Sequence, residues 1–316
     1  MYARPPEMRA LIVTNMYPTP ARPALGSFVR DQVEALRRID GIEIQTFAFA
    51  PGSPAAYVQA AKDLRAAHRQ DHFDVVHAHF GLTAWPAFAA KGRAHAVTLH
   101  GTDLAHPRSR AITLGALPFQ DLVATVSEPL ATQLPAWTKR KRRAILPTGV
   151  DTERFTPIPR TEARRRLGLD PDGPYLLFPA DPSRPEKRYD RAQALADEEH
   201  TPLLTLGNTD PNQVPLWVNA ANAVLVPSER ESYGLAVLEA LACDVPVLAT
   251  PVGIAPEALA GIEGTHCGPF DEASWRTALE PHLGADDPRI DGRTKAERYS
   301  TDKMAANVVA AWRELV

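Results

Sequence analysis

The 316-residue chain has little cysteine, no long apolar run and almost no net charge. Its two cysteines, Cys243 and Cys267, cannot form a disulfide framework, and each is expected to be a small buried apolar residue. No run approaches the roughly 20 apolar residues that a membrane-spanning helix needs. The formal net charge of -3 excludes the generic basic surface of a nucleic-acid-binding protein, so no nucleic-acid partner is expected.

Two further absences narrow the function and the location. The GxGxxG fingerprint of dinucleotide-binding enzymes is missing, which counts against a nicotinamide enzyme. The apolar stretch before Asn15 has five residues, too few for a signal peptide, so it predicts a first strand and a cytoplasmic protein. The 44% hydrophobic content is sufficient for packed cores, and the length suggests about two domains.

Short apolar runs alternate with helical stretches along the chain. This rhythm predicts an α/β fold with two doubly wound, Rossmann-like halves facing across a cleft. Helices are predicted at Ser27–Ile39, with Ser27 as the cap, and at Tyr57–Arg69, Gly234–Ala242 and Thr301–Leu315. Strands are predicted at Ala10–Thr14, Ile42–Phe49, Asp74–His77, Ala96–His100, Leu122–Val126, Tyr175–Phe178, Leu203–Leu206, Ala223–Val226 and Val245–Ala249.

A linker composition separates the two halves, with Pro147, Gly149, Pro157 and Pro159 in thirteen residues. The predicted domains are residues 1–155 and residues 156–298, followed by a last segment, 299–316.

The most informative stretch is PSERESYGLAVLEALACDVPVLAT, residues 227–250. Ser232 and Gly234 precede a helix, whose free N–H groups suit phosphate oxygens. Glu231 and Glu239 flank that terminus, and their carboxylates can accept hydrogen bonds from polyol hydroxyls. This combination suits a sugar nucleotide; the alternative is an ordinary capped helix with glutamates that face solvent.

A second stretch, FPADPSRPEKRYD, is basic and follows a predicted strand. Arg184, Lys187 and Arg188 could stabilise the charge that builds on a diphosphate as a sugar–phosphate bond breaks. The alternative is a solvated basic loop.

Two shorter stretches lie in the first half. Gly26 opens the first helix and permits close approach of a phosphate. His100, in TLHGTD, ends a strand and could hydrogen-bond a substrate; the alternative is a structural histidine. His77 and His79 share a strand face, but no third ligand stands at a supporting spacing, so no metal site is predicted.

Taken together, these stretches resemble the retaining glycosyltransferases of family 4, which have the GT-B fold. Each motif alone is weak, whereas the ordered set is specific and spans nearly the whole chain. Glu231 and Glu239 match the family's pair of glutamates separated by seven residues. The motifs in order are IVTNMYPTPARPALGSFVRDQVEALRR, DVVHAHFG, TLHGTD, ATVSEPLA, LPTGVDTERFTP and LWVNAANAVLVPSERESYGLAVLEALACDVPVLATPVG.

The resemblance implies a hexosyltransferase that uses a nucleotide-sugar donor, retains the anomeric configuration and needs no metal or other cofactor. It also implies that residues 1–155 form the acceptor side, that residues 156–298 bind the donor and that the segment 299–316 crosses back to the first domain. Front-face displacement is the implied mechanism, without a nominated general base. The implied catalytic residues are His100, Arg184, Lys187 and Glu231. The implied donor-binding residues are Gly26, Gly207, Asn208, Thr209, Ser232, Tyr233, Gly234, Leu235 and Glu239, with Glu239 on the ribose and Gly207–Asp210 near the base.

The chain departs from the family between Lys187 and Leu203, where a helix, a strand, a helix and a strand are usually inserted. The donor is expected to be UDP-GlcNAc or UDP-glucose, ahead of GDP-mannose. A glycan, a lipid-linked molecule or a natural product could be the acceptor, and the oligomeric state is open. The alternatives are a catalytically weak partner subunit that binds nucleotide sugars, or another GT-B enzyme such as an epimerase.

The run Trp137–Arg143 places five basic residues beside a tryptophan. Such a run could touch anionic lipid at the inner face of a membrane, which would be at most a peripheral contact. A solvated loop is the favoured interpretation.

Overall fold

The apolar runs of the first half form a six-stranded parallel sheet, with the strand order β2-β1-β3-β4-β5-β6, in a computed structural model that describes residues 7–284, 286–287 and 289–316. The central strands are buried almost throughout, as expected for a parallel sheet covered on both faces. The strands are β1 (Met8–Thr14), β2 (Ile42–Ala48), β3 (Phe73–His79), β4 (Gly92–Leu99), β5 (Leu122–Thr125) and β6 (Arg142–Ile145).

Helices connect these strands. The first of them begins at Ser27, while Gly26 occupies the N-cap position in a left-handed conformation, so the prediction that Ser27 caps it is wrong. The helices are α1 (Ser27–Arg37), α2 (Pro54–Ala67), α3 (Ala84–Ala87), α4 (Thr102–Ala105), α5 (Pro107–Ala116) and α6 (Glu128–Ala131).

The C-terminal helix belongs to the same unit as this sheet. Contacts group the described residues through Thr19, Leu25–Gly149 and Thr301–Val316 into what we call unit 1. Helix α14 (Thr301–Arg313) packs on α1, and Trp312 is fully buried in a core that it shares with α1 and β1.

The second half forms unit 2, which comprises Pro20–Ala24 and Val150–Ser300. Its parallel sheet has five strands in the order β11-β10-β9-β7-β8. The elements in chain order are α7 (Arg160–Leu167), β7 (Leu176–Phe178), α8 (Tyr189–Glu198), β8 (Leu203–Thr205), α9 (Val214–Ala220), β9 (Ala223–Val226), α10 (Leu235–Ala242), β10 (Val247–Ala249), α11 (Ala255–Leu259), β11 (His266–Cys267), α12 (Glu272–Leu283) and α13 (Arg293–Ala296).

The boundary between the units falls between Gly149 and Val150, whereas the linker composition had suggested residue 155. Val150 already belongs to unit 2 because its N–H donates to Tyr299 O at 2.9 Å and it forms a parallel bridge with Ser300. These pairings also extend unit 2 to residue 300, two residues beyond the predicted end.

The two cysteines have different environments. Cys243 is buried, as expected, and burial raises the pKa of its thiol to about 12. Cys267 is exposed, so the prediction that it is buried is wrong, because it lies in the two-residue edge strand β11. Among the described residues, no helix has the length and apolar character required to cross a membrane.

Candidate functional site

An ion pair lies at the carboxyl ends of β7 and β9 in unit 2. Lys187 Nζ donates to the two carboxylate oxygens of Glu231 at 2.7 and 2.6 Å, and Ser228 Oγ donates to the same carboxylate at 2.7 Å. The two charged side chains are 15% and 9% exposed. The pair is therefore largely enclosed, and it brings together two residues that the sequence predicted separately.

The loop that carries Glu231 is held by a glycine that the sequence analysis missed. Gly253 has φ +62°, and a Cβ there would lie 2.3 Å from Tyr233 O and 2.8 Å from Glu231 Cβ. Next to it, Ile254 N donates to Tyr233 O at 2.6 Å. No side chain can be added at this position without moving the loop. The PVG that follows β10 contains this glycine, but its positive φ is evident only from the folded loop.

Helix α10 begins directly after this loop. Gly234 stands at its N-cap with φ +95°, and no side chain caps the helix, so its first N–H groups are available to an anion. Leu235 is the first helical residue, Ser232 is half-buried, and Glu239 lies within the helix, also half-buried. The predicted donor-binding residues 232–235 thus directly follow Glu231 in the chain, and Glu239 lies further along α10.

Tyr233 contributes its backbone carbonyl to this site, whereas its hydroxyl is buried in the protein interior. Its side chain is 7% exposed and its hydroxyl is buried without a hydrogen-bond partner among the described residues. Burial raises the pKa of Tyr233 above its ordinary value. The backbone carbonyl, by contrast, holds the loop in place through Ile254.

Arg184 does not join the ion pair in this conformation. Its guanidinium donates to Glu186 Oε1 from Nε at 3.0 Å and from Nη2 at 2.7 Å, and its side chain is half-exposed. Arg188 likewise pairs with Asp190 and with Glu229. Of the three cations of the basic stretch, Lys187 therefore lies at the site, whereas Arg184 and Arg188 pair with other carboxylates nearby.

The loop after β8 contains the residues predicted near the base. Gly207 and Asn208 are exposed, and Thr209 is half-buried. Asn208 Nδ2 donates to Ala21 O, another residue of unit 2, at 3.2 Å. A Cβ at Gly207 would meet nothing within 4 Å, so this glycine is not sterically required.

In unit 1, Gly26 is sterically required. It has φ +64°, and a Cβ there would lie 2.2 Å from Met16 O. The chain therefore passes close against the amino end of α1, which has no side-chain cap. This geometry is compatible with the predicted approach of a phosphate to that terminus.

His100 follows β4 and contacts a second histidine. Its Nε2 lies 3.1 Å from His79 Nδ1, so one of these nitrogens donates to the other, and its ring packs against Phe28 with centroids 5.0 Å apart. Burial lowers the pKa of His79 to about 4, and burial together with His79 lowers that of His100 well below its ordinary value. Both rings are therefore neutral near pH 7.

The ring of His77 stacks on that of His79, with centroids 5.0 Å apart, and continues this row of rings. Trp312 Nε1 donates to His77 Nδ1 at 2.9 Å, and an indole N–H can only donate. Neutral His77 therefore carries its proton on Nε2, which donates to Thr98 Oγ1 at 2.8 Å. Both ring nitrogens are engaged, so His77 has a structural role. Within the described ranges, no cluster of three or more His, Cys, Asp or Glu residues could hold a metal ion.

Asp103 is a positioning residue that the sequence analysis missed. Its buried carboxylate accepts backbone N–H groups from Gly81 at 3.2 Å, His100 at 3.0 Å and Gly101 at 2.8 Å. Burial raises the pKa of Asp103. The turn with Gly101 at φ +102° is thereby fixed, and His100 with it. TLHGTD contains the aspartate, but the usual Asx turn has the side chain accept from an N–H two residues further on, whereas Asp103 accepts from residues that precede it.

Most of the basic run beside Trp137 is already engaged. Lys141 Nζ donates to Gln120 O at 3.1 Å, Arg142 pairs with Glu314 at 3.0 Å, and Arg143 donates to Ala131 O at 3.0 Å. These contacts agree with a loop that is tied to unit 1. The remaining basic side chains, Lys139 and Arg140, are exposed.

Comparisons with known proteins agree on one kind of enzyme. Residues 11–154 match the profile described as Glycosyltransferase Family 4, and residues 181–284 match that of Glycosyl transferases group 1. A D-inositol 3-phosphate glycosyltransferase from Actinosynnema mirum is 30% identical over 326 residues, covering 83% of this chain and 77% of that relative.

Solved structures show the same fold. A sucrose-phosphate synthase from Thermosynechococcus elongatus has a TM-score of 0.70 at 19% identity, covering 99% of each chain. Anabaena HepE, in complex with UDP and glucose, has a TM-score of 0.69 at 15% identity, covering 97% of this chain and 100% of its own. At these identities the likeness concerns the fold alone.

Proposed function

Because this chain belongs to glycosyltransferase family 4, we propose that it moves a sugar from a nucleotide-sugar donor to a hydroxyl acceptor, with retention at the anomeric carbon. It is a transferase of the GT-B fold class. The family, the fold class and the enzyme class predicted from the sequence are thereby confirmed. The donor, the stereochemistry and the roles of individual residues form the proposal.

The observation that supports these roles is the enclosed pair of Lys187 and Glu231 beside the uncapped amino end of α10. A cation and free N–H groups together suit a diphosphate, and a carboxylate suits sugar hydroxyls. Without donor, each charge neutralises the other. When the donor binds, Lys187 would turn to the diphosphate and Glu231 would accept from the sugar.

The proposed donor is UDP-GlcNAc or UDP-glucose. HepE, which shares the fold, binds UDP and glucose, and this supports a uridine nucleotide for the present chain. Glu239 would accept the ribose hydroxyls from within α10. Gly207–Asp210 would face the base, and Gly26 would lie against the phosphates.

The proposed chemistry needs no metal. Lys187 and the amino end of α10 would stabilise the charge that develops on the departing nucleotide, and Arg184 would add to it after leaving Glu186. The leaving phosphate would take the acceptor proton in a front-face displacement. Neutral His100 would hydrogen-bond the reacting sugar, held in place by His79 and Asp103.

The acceptor is proposed to be a small hydroxyl compound, a glycan or a lipid-linked molecule, and the enzyme is proposed to act in the cytoplasm. The relative from Actinosynnema mirum carries the name of an enzyme acting on D-inositol 3-phosphate. That name makes inositol 3-phosphate one acceptor to test.

A donor screen on purified protein tests the proposal. UDP-GlcNAc, UDP-glucose and GDP-mannose are incubated with and without inositol 3-phosphate, and products are identified by mass. Turnover of a UDP-sugar supports the proposal, and preference for GDP-mannose overturns the assigned base. Tight nucleotide binding with no turnover of any donor would instead favour a partner subunit.

Two variants assign the roles. Glu239→Ala should weaken donor binding, because the ribose loses its acceptor. Lys187→Ala should chiefly lower kcat, because the departing diphosphate loses its cation. Wild-type values in either variant would refute the corresponding role.

A further inference from the structure

Unit 1 contains a cavity of about 380 Å3 at the carboxyl edge of its sheet. Its lining comes from the segments after β2, β3 and β4, which is the edge where parallel α/β sheets bind ligands. The volume lies within the range of small-molecule sites. The lining residues are Gly52, Ser53, Pro54, Tyr57, Leu82, Trp85, Arg108, Ser109 and Ile112.

The walls of this cavity are apolar and rigidly held. Trp85 and Ile112 remain 43% and 39% exposed, although each is a large apolar side chain. Trp85 Nε1 donates to Ile112 O at 3.1 Å, which fixes the indole. Tyr57 packs edge-on against Phe49 and accepts from Asn15, so a second ring is also anchored. Preformed aromatic walls suit a flat apolar ligand.

One charged side chain stands among these apolar groups. Arg108 is exposed and has no ion-pair partner among the residues that the structure describes. The hydroxyls of Ser53 and Ser109 are the other polar side-chain groups of the lining apart from Tyr57. An occupant with a carboxylate, sulfate or phosphate at one end would complement this guanidinium.

One carboxylate holds both part of the cavity wall and a residue of the proposed reacting centre. Asp103 accepts from the backbone of His100 and also from that of Gly81, which directly precedes the lining residue Leu82. The same buried side chain therefore positions His100 and the turn that forms part of the cavity wall. The cavity wall at Leu82 and the histidine assigned to the sugar are thus positioned by the same residue.

We propose that this cavity binds the apolar portion of the acceptor, and that the acceptor is a hydroxylated aromatic compound bearing an anionic group. The inference rests on the proposed function and names the acceptor class for it. In the transfer, the acceptor oxygen would form the new bond to the anomeric carbon as the bond to the nucleotide breaks. The acceptor proton would leave on the nucleotide phosphate.

Calorimetric titration with 2-naphthoate and its neutral isostere 2-naphthamide tests the cavity. Both should bind, and naphthoate should bind about threefold more tightly, since an ion pair with an exposed guanidinium contributes modestly. Arg108→Gln should remove that preference while leaving naphthamide binding unchanged. An unchanged preference in this variant would overturn the anionic part of the proposal.

Two variants test whether the probes bind in this cavity. Ile112→Asp places a charge in the cavity, and Ser109→Trp fills it. Each should weaken both probes by about tenfold or more, because apolar burial is lost. Trp137→Ala is the matched control, since this tryptophan is 40% exposed and lies outside the lining. Wild-type affinity in both cavity variants, or no saturable binding by the native chain, would overturn the proposal.

Transfer to 6-hydroxy-2-naphthoate, detected by product mass, then tests the acceptor class. UDP binding measured on the same preparations keeps the two hypotheses apart. Binding of UDP without binding of naphthoate overturns the acceptor inference alone. Binding of naphthoate without UDP overturns the proposed donor chemistry and supports the cavity as a ligand site.

Discussion

Replacement of Glu231 by glutamine should tighten the binding of UDP. In the free enzyme, Lys187 is held by this carboxylate at 2.6 and 2.7 Å, and a diphosphate can take the ammonium only by breaking that contact. Glutamine keeps the shape of the side chain but removes its charge. UDP lacks the transferred hexose of the donor, so the loss of the proposed contact between Glu231 and that hexose does not affect this measurement.

The magnitude follows from the burial of the pair. Exposed ion pairs contribute about 0–1 kcal/mol, and breaking a fully buried pair costs about 3–5 kcal/mol. With side chains 15% and 9% exposed, the pair lies between these limits. A cost of about 1.5 kcal/mol corresponds to roughly tenfold in Kd.

Isothermal titration with UDP measures this change. Glu229→Gln is the matched control, because Glu229 stands two residues away and pairs with Arg188, and its side chain is 55% exposed. Its Kd for UDP should stay within about twofold of the wild-type value. If Glu231→Gln binds UDP no more tightly than the wild-type chain, the competition between donor and ion pair does not exist.

Three further predictions concern stability and surface. Gly253→Ala should lower the free energy of unfolding by at least about 2 kcal/mol, because the added Cβ would overlap Tyr233 O. Gly207→Ala is the control and should be nearly neutral. Equal melting temperatures for the two variants would contradict the prediction. Burial lowers the pKa of His79 to about 4, so the unfolded chain takes up the proton first as the pH falls below 6.5. The contribution of His79 to the free energy of unfolding should therefore fall by about 2 kcal/mol between pH 7.5 and 5. A denaturation midpoint that does not change over that pH range would contradict this prediction. Vesicles of phosphatidylglycerol should bind the native chain as weakly as a variant with Lys139→Ser and Arg140→Ser; clearly tighter binding by the native chain would revive the lipid interpretation.

The sequence predicted the central strands well because buried parallel strands are continuous apolar runs. Ala223–Val226 is a strand over the predicted residues, and Leu122–Thr125 ends one residue early. The strands that were missed lie at sheet edges. Arg142–Ile145 begins with two arginines, and His266–Cys267 has two residues, so neither contains an apolar run to detect.

The parts of the candidate site were also predictable, but their pairing was not. Lys187 and Glu231 are 44 residues apart, and they meet because β7 and β9 are neighbours in the sheet, which periodicity does not reveal. The partner of Arg184 depends on the turn at Pro185–Lys187. Gly253 and Asp103 act through backbone geometry, which becomes visible once the loops they hold are placed in three dimensions.

The contact between Trp312 and His77 has a consequence for how the chain is made. All six strands of unit 1 have been synthesised by Ile145, yet Trp312, which is fully buried in their core, is synthesised after unit 2. The contact between Trp312 and His77 spans 235 positions in sequence, so it cannot form until unit 2 has been synthesised. Unit 2, whose residues 150–300 are synthesised in between, can reach its native state first. During translation, unit 1 is thus completed after unit 2, and the apolar surface that α14 covers is the part that chaperones would meet.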